Sequence, residues 1–244
     1  MAGGKDDIFK KDEITRDWVF DKRVVDVFDD MVSRSVPFYR ETHQMAVDLA
    51  KRFVQPETEI VDLGCSTATL LINAQRVVDT PKISFIGVDN SKSMLSEAKR
   101  KTKEAGYDKS TVFVEADIEK ELPFSNASVV FMNYTLQFIR PLHRERLVSA
   151  INERLCPGGC LVILEKVLSE HSVFNRMYID IYHEFKRNAG YNDEEIARKR
   201  ESLENIMVPF RVGENIELMT RAGFGTVDMF FKWYNWVGYI AVKG

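Results

Sequence analysis

Cysteine and histidine are both scarce in this chain, with three cysteines and four histidines in 244 residues. Cys65, Cys156 and Cys160 are odd in number and include no pair at a redox or metal-ligand spacing, so no disulfide framework is expected. Such thiols suit a reducing compartment, as small buried or half-buried residues. His43, His143, His171 and His183 are scattered, with no HxH or HxxxH pair, which argues against a zinc or iron site. No apolar run approaches the roughly 20 residues that cross a bilayer. The stretch up to Trp18 is charged throughout and has no apolar segment of the signal-peptide kind. These absences predict a cytoplasmic protein without a metal or membrane attachment. Positive charge is not in excess either: 34 Lys and Arg stand against 37 Asp and Glu, a net charge of -3. Proteins that grip a nucleic-acid backbone usually show a basic face, because neutralised phosphates supply most of the affinity. Here basic clusters such as Arg198-Lys199-Arg200 alternate with acids, so direct nucleic-acid binding is not signalled.

The composition is that of an ordinary globular protein, 45% hydrophobic and 29% charged, and the length suits one α/β domain over 1–244. Between residues 58 and 166, short β-branched apolar runs alternate with amphipathic stretches. Strands are predicted at Glu59–Leu63, Ile83–Val88, Thr111–Ala116, Ser128–Met132 and Cys160–Leu164. Helices are predicted from Ala68, from an N-cap at Ser91 and over Arg144–Leu155, with a turn at Pro157-Gly158-Gly159 before the fifth strand. This alternation implies parallel strands with right-handed crossovers and helices on both sheet faces. Val227–Trp233 and Trp236–Val242 are too close for a crossover, so they should form an antiparallel hairpin at the sheet edge. The expected fold is therefore α/β and Rossmann-like, a mostly parallel seven-stranded sheet ending in a hairpin. A helical segment over 1–57 and a helical insertion over 172–212 lie outside that core.

The strongest chemical signal is Asp62-Leu63-Gly64-Cys65-Ser66-Thr67-Ala68. A glycine between strand and helix lets a ligand approach the backbone, and the helix N-terminus behind it favours a carboxylate or phosphate. Asp89 ends the second strand, where an acid in nucleotide-binding folds accepts ribose hydroxyls. Asp117 and Ile118 follow the third strand, and Asn133 the fourth. Taken singly, Asp89 and Asp117 read as loop acids and Asn133 as a turn residue; in this order they form a nucleotide-type constellation. Cys65 has no histidine partner in view and reads as packing rather than a nucleophile. Lys199 and Arg200 lie among Arg198, Glu201 and Glu204, and read as a solvated helix face.

A mostly parallel sheet ending in a hairpin is the arrangement of S-adenosylmethionine-dependent methyltransferases. More specific runs narrow the likeness. Ser35-Val36-Pro37-Phe38-Tyr39, Asp62–Ser66, Gly87–Ser91, Asn133–Phe138, Phe185–Tyr191 and Lys199–Asn205 resemble the carboxy-S-adenosyl-L-methionine synthases, and the likeness covers nearly the whole chain. It implies an enzyme that converts S-adenosylmethionine and prephenate into carboxy-S-adenosylmethionine and phenylpyruvate. The product would serve a partner that carboxymethylates a hydroxylated wobble uridine in tRNA. The resemblance also implies a homodimer and ligand contacts at Tyr39, Gly64, Cys65, Ser66, Asp89, Asn90, Asp117, Ile118, Asn133 and Arg200. Asp89 and Asn90 would hold the ribose, Asp117 and Ile118 the adenine, and the 64–66 turn the methionine end. Arg200 would grip the added carboxylate through its planar fork, in its own or the neighbouring subunit's site. The residues themselves identify no catalytic base. A plain methyltransferase of a small molecule or tRNA, or a non-catalytic S-adenosylmethionine-binding protein, would share the fold and most of these contacts.

Overall fold

Strands that are apolar on both faces belong in the middle of a covered sheet. Here Ile60, Val61, Leu63, Val88, Val129–Met132 and Leu161–Leu164 are all essentially without exposure. A computed structural model describes residue 6 and residues 22–204 and 206–244. The predicted N-terminal helical segment therefore falls partly outside the described residues, as does Asn205. Within them the chain runs α1 (Lys22–Val25), α2 (Phe28–Ser35), α3 (Tyr39–Phe53), β1 (Glu59–Leu63), α4 (Thr69–Val77), β2 (Ser84–Asp89) and α5 (Lys92–Glu104). It continues through β3 (Thr111–Glu115), β4 (Ala127–Asn133), a 3-10 turn at Leu136–Phe138, α6 (Pro141–Arg154) and β5 (Leu155–Lys166). Then follow α7 (Ser172–Asn188), α8 (Asp193–Leu203), α9 (Val212–Arg221), β6 (Thr226–Trp233) and β7 (Trp236–Val242).

The seven strands form one sheet in the order β3-β2-β1-β4-β5-β7-β6. The pairs from β3 through β5 are parallel, while β7 runs antiparallel to both β5 and β6. The expected fold is present, with α7 and α8 forming the insertion before α9. Because β1 pairs with both β2 and β4, the chain reverses its direction of travel across the sheet there. At such a switch point the crossover loops part and leave a crevice beyond the carboxyl ends of the strands.

One local expectation is corrected. Pro157-Gly158-Gly159 is not a turn ahead of the fifth strand but an irregularity inside β5. Ala127 pairs with Leu155 and Val129 with Cys160, so the ladder holds on both sides while the residues between bulge out. Gly158 takes φ +73° there, a conformation that glycine adopts without steric cost.

Two apolar layers cover the sheet. Leu147, Val148 and Ile151 of α6 pack with Leu218 and Met219 of α9 over one face. Ala46, Val47 and Ala50 of α3 pack with Leu70, Leu71 and Ala74 of α4 over the other. A third cluster joins Met31 and Val32 of α2, Met94 at the start of α5, Tyr182 of α7 and Trp236 of β7, with Tyr39 and Tyr134 packed against it. This cluster lies over the carboxyl ends of β2, β4 and β5, and so brings the insertion onto the crevice.

Candidate functional site

The turn after β1 is shaped by backbone constraints. Gly64 takes φ +78°, and a Cβ there would lie 2.4 Å from Thr135 Oγ1 and 2.7 Å from Thr135 Cγ2. The missing side chain lets the turns after β1 and β4 approach each other. Gly64 and Cys65 both donate N–H to Val88 O, at 2.8 and 3.0 Å. Ser66 (φ 46°) and Ala68 (φ 61°) then enter the left-handed region, which costs non-glycine residues about 1–2 kcal/mol each. Strain of this kind persists where surrounding structure enforces it. No side chain caps the N-terminus of α4, so its first N–H groups suit a ligand carboxylate. Cys65 turns its side chain inward, with Sγ 3.0 Å from where a Cβ on Gly87 would lie, and burial pushes its thiol well up. It packs, as the residues predicted, and only its backbone takes part in the turn.

Asp89 spans two turns. Its Oδ2 accepts the N–H of Ser66 and its Oδ1 that of Ser91, both at 2.9 Å. Burial raises its pKa, while the N–H groups of Ser91, Ser66 and Asn90 pull it back down. A carboxylate has room for about four acceptor contacts, so sites remain for ribose hydroxyls. Asn90 is exposed beside it. Ser91 caps α5 as predicted, its Oγ accepting from Met94 N at 3.3 Å. Asp117 is half-buried after β3; an ion pair with Lys120 at 2.8 Å, with help from Glu119 N–H, holds its carboxyl below the ordinary range. Ile118 packs against the main core.

Asn133 ends β4 beside His43 of α3, its Nδ2 bonded to His43 Nε2. Burial drops the His43 pKa to about 3. The ring is therefore neutral, and its Nε2 accepts the amide N–H. Asn133 Oδ1 is left buried without a partner among the described residues. Tyr39 lies over His43 with ring centroids 4.1 Å apart and stacks near Tyr134 at 6.3 Å. Tyr134, at φ 57°, shares a hydrogen bond with Thr42 Oγ1 at 3.3 Å. A cleft of about 370 Å³ opens at the start of α3, lined by Ser33, Phe38, Tyr39, Arg40, Glu41 and Phe185.

These features fit S-adenosylmethionine. The α4 N-terminus is uncapped, and the buried amide oxygen of Asn133 lacks a donor among the described residues. The structure brings Tyr39, Gly64, Cys65, Ser66, Asp89, Asn90 and Asn133 together around the β1–β4 crevice, with Asp117 and Ile118 after neighbouring β3. Arg200 is within electrostatic reach of Lys166, Lys186 and His183. It is exposed on α8 and has no ion pair or hydrogen bond among the described residues.

Several residues at this end of the sheet were not visible as site candidates in the sequence. Lys199, read there as part of a solvated face, is buried, with Nζ 3.0 Å from Ser35 Oγ. Ser35 O also accepts the Tyr182 hydroxyl at 2.7 Å. Ser35 thus ties the end of α2 to both inserted helices. His43, Lys166, Lys186 and Trp236 also face this region, and only the tertiary contacts reveal them.

The comparisons with known proteins agree with this geometry. The sequence pattern of a family described as "Methyltransferase domain" matches residues 60–159. A carboxy-S-adenosyl-L-methionine synthase from Methylococcus capsulatus is 45% identical over 240 residues, which is 98% of this chain and 99% of that protein. Another, from Desulfotalea psychrophila, is 42% identical over 243 residues, 100% of this chain and 99% of the relative. Among solved structures, an O-methyltransferase family protein from Burkholderia thailandensis superposes with a TM-score of 0.68 at 16% identity, over 92% of this chain and 61% of that one. Human N-acetylserotonin methyltransferase in complex with SAM gives 0.61 at 15% identity, over 91% and 55% respectively. At such identities the structures show the fold alone. The sequence matches run the length of both partners, and by them the chain belongs to the carboxy-S-adenosyl-L-methionine synthase family.

Proposed function

We propose that the protein makes carboxy-S-adenosylmethionine from S-adenosylmethionine and prephenate, releasing phenylpyruvate, and that the product supports carboxymethylation of a wobble uridine in tRNA by a separate enzyme. One observation carries the reading. The runs at 35–39, 185–191 and 199–204, which a generic methyltransferase core does not need, meet through Lys199, whose Nζ lies 3.0 Å from Ser35 Oγ and 5.7 Å from the centroid of the Tyr191 ring.

In this reading Asp89 and Asn90 hold the ribose, Asp117 and Ile118 the adenine, and the 64–66 turn the methionine end, with Tyr39 and Asn133 flanking the sulfonium. Prephenate loses one carboxylate as CO2 together with its ring hydroxide and becomes phenylpyruvate. The hydroxide takes a proton from the sulfonium methyl and becomes water, and the resulting carbanion captures the CO2. The atoms and charges balance without a protein base. Neutral His43 and the buried tyrosines keep water from competing for either reactive species. Arg200 pairs with the new carboxylate, from its own subunit or across a homodimer, and the site works in the cytoplasm.

Mass spectrometry of purified protein incubated with S-adenosylmethionine, with and without prephenate, tests this. A carboxylated species that requires prephenate is the expected result. Its absence, with S-adenosylmethionine bound and prephenate intact, would send the assignment back to an ordinary methyl acceptor or to binding without catalysis.

A further inference from the structure

Two lysines near this site are held where their charge is costly. Lys186 of α7 is only 4% exposed, and Lys166 is half-buried at the carboxyl end of β5. Their Nζ atoms lie 4.6 and 5.2 Å from the centroid of one ring, that of Tyr182. Neither has an ion pair or an acceptor side chain among the described residues. Glu165, the acid next to Lys166, lies among Arg144, Gln137 and Leu136 instead. Glu184, near Lys186 on α7, is exposed. A buried ammonium without a counterion is expensive, and structures normally supply a partner.

The position of the pair indicates what that partner is. Asn133 is opposite Leu164 in the β4–β5 ladder, so Lys166 lies two residues further on, along the same face. Lys166 is opposite Trp236 in β7. The Trp236 ring lies 5.5 Å from those of both Tyr182 and Tyr134, and its Nε1 is a buried donor without an acceptor among the described residues. Lysines and indole N–H thus lie one aromatic layer from Asn133. Burial, together with the charges of neighbouring Lys199, Lys166 and Arg200, pulls Lys186 to about 7, and burial with Arg200 pulls Lys166 to about 8. A bound anion would reverse both shifts.

We propose that Lys166 and Lys186 form an anion subsite for the carboxylate that the co-substrate keeps when the other leaves as CO2. The inference rests on the reading of prephenate as that co-substrate, which carries two carboxylates and leaves one on phenylpyruvate. Anchoring the retained carboxylate here directs the departing one toward the sulfonium methyl beside Asn133.

The test uses the full-length protein and Lys166→Met and Lys186→Met. Each variant is expected to raise the prephenate KM about tenfold or more, the loss typical of one charge-assisted hydrogen bond. The dissociation constant for S-adenosylmethionine should stay within about twofold, as for an interaction confined to the co-substrate. Phenylpyruvate binding to protein loaded with S-adenosylhomocysteine should weaken in parallel, and Lys186→Arg should recover most of it. Unchanged KM and unchanged phenylpyruvate affinity in both methionine variants would overturn the subsite. If wild-type protein makes no carboxylated product yet binds phenylpyruvate through these lysines, the synthase reading falls and the subsite stands. Should Lys186→Met fail to fold, Lys166→Met and Lys186→Arg decide the question by the same two readouts.

Discussion

The Asp89 carboxylate accepts the backbone N–H of Ser66 at 2.9 Å, which ties the end of β2 to the turn after β1. Its second oxygen takes Ser91 N–H at the same distance. The residue expected to bind the ribose is therefore also the fastener of the loop that cradles the rest of the ligand.

Asp89→Asn tests this double role. An amide presents one oxygen and one N–H donor, so one of the two backbone N–H groups loses its acceptor and faces another donor. Losing a charge-assisted hydrogen bond in a buried place costs about 1.5–3 kcal/mol. S-adenosylmethionine affinity should fall about 10–100-fold by that measure, and the ligand-free protein should also melt several degrees lower. A variant that loses affinity but keeps the wild-type melting temperature would show that the fastening is unimportant. Calorimetric titration and thermal melting read the two effects separately.

The close approach of Gly64 to Thr135 gives a second expectation. Gly64→Ala adds a Cβ 2.4 Å from Thr135 Oγ1 at φ +78°, so both the clash and the backbone must be accommodated. Stability should drop by about 2–4 kcal/mol, within the range for overpacking combined with left-handed strain. Removing Oγ1 and Cγ2 through Thr135→Ala should recover part of this in the double variant, while Thr135→Ala alone costs little. Equal stability of the single Gly64→Ala and the double variant, measured by chemical denaturation, would count against the contact.

Glu165 supplies a pH signature. Burial raises its pKa to about 8, overcoming the opposing pull of the Arg144 charge and of the Gln137 and Leu136 N–H groups. The folded value lies above the unfolded one, so its stabilising contribution is complete below the ordinary glutamate range and is lost as pH climbs toward 8. Glu165→Gln cannot ionise and should escape that loss. Melting temperatures of wild type and variant should therefore diverge between about pH 5 and about pH 9, with the variant gaining ground as pH rises. Asp62, which burial pushes to about 7, tilts both proteins alike and cancels in the comparison. Parallel curves would place the Glu165 carboxyl in a more solvated setting than the structure gives it.

Much of this arrangement was legible in the sequence because it depends on short-range physics. The β-branched runs, the glycine turn at Gly64, the cap at Ser91 and the nearness of the last two strands each constrain the backbone within a few residues. Strand alternation with right-handed crossovers then leaves few topologies, and the acids at the strand ends follow. Pro157-Gly158-Gly159 misled because a glycine pair permits a turn and a bulge equally, and only the partner strand β4 selects between them. Lys199 misled because charge spacing along a helix does not say what covers it.

Short-range preferences specify which residues end each strand, and with them the turn and the acids that suit a nucleotide-type ligand. Long-range packing sets what surrounds them. It left Cys65 inert against Gly87, neutralised His43 beneath Tyr39, and turned Ser35 into the junction of α2, α7 and α8. It also set Lys166 and Lys186 around Tyr182. The reason is physical: local backbone preferences act over a few residues, whereas burial and the loss of water around a charge depend on chain segments more than a hundred residues away.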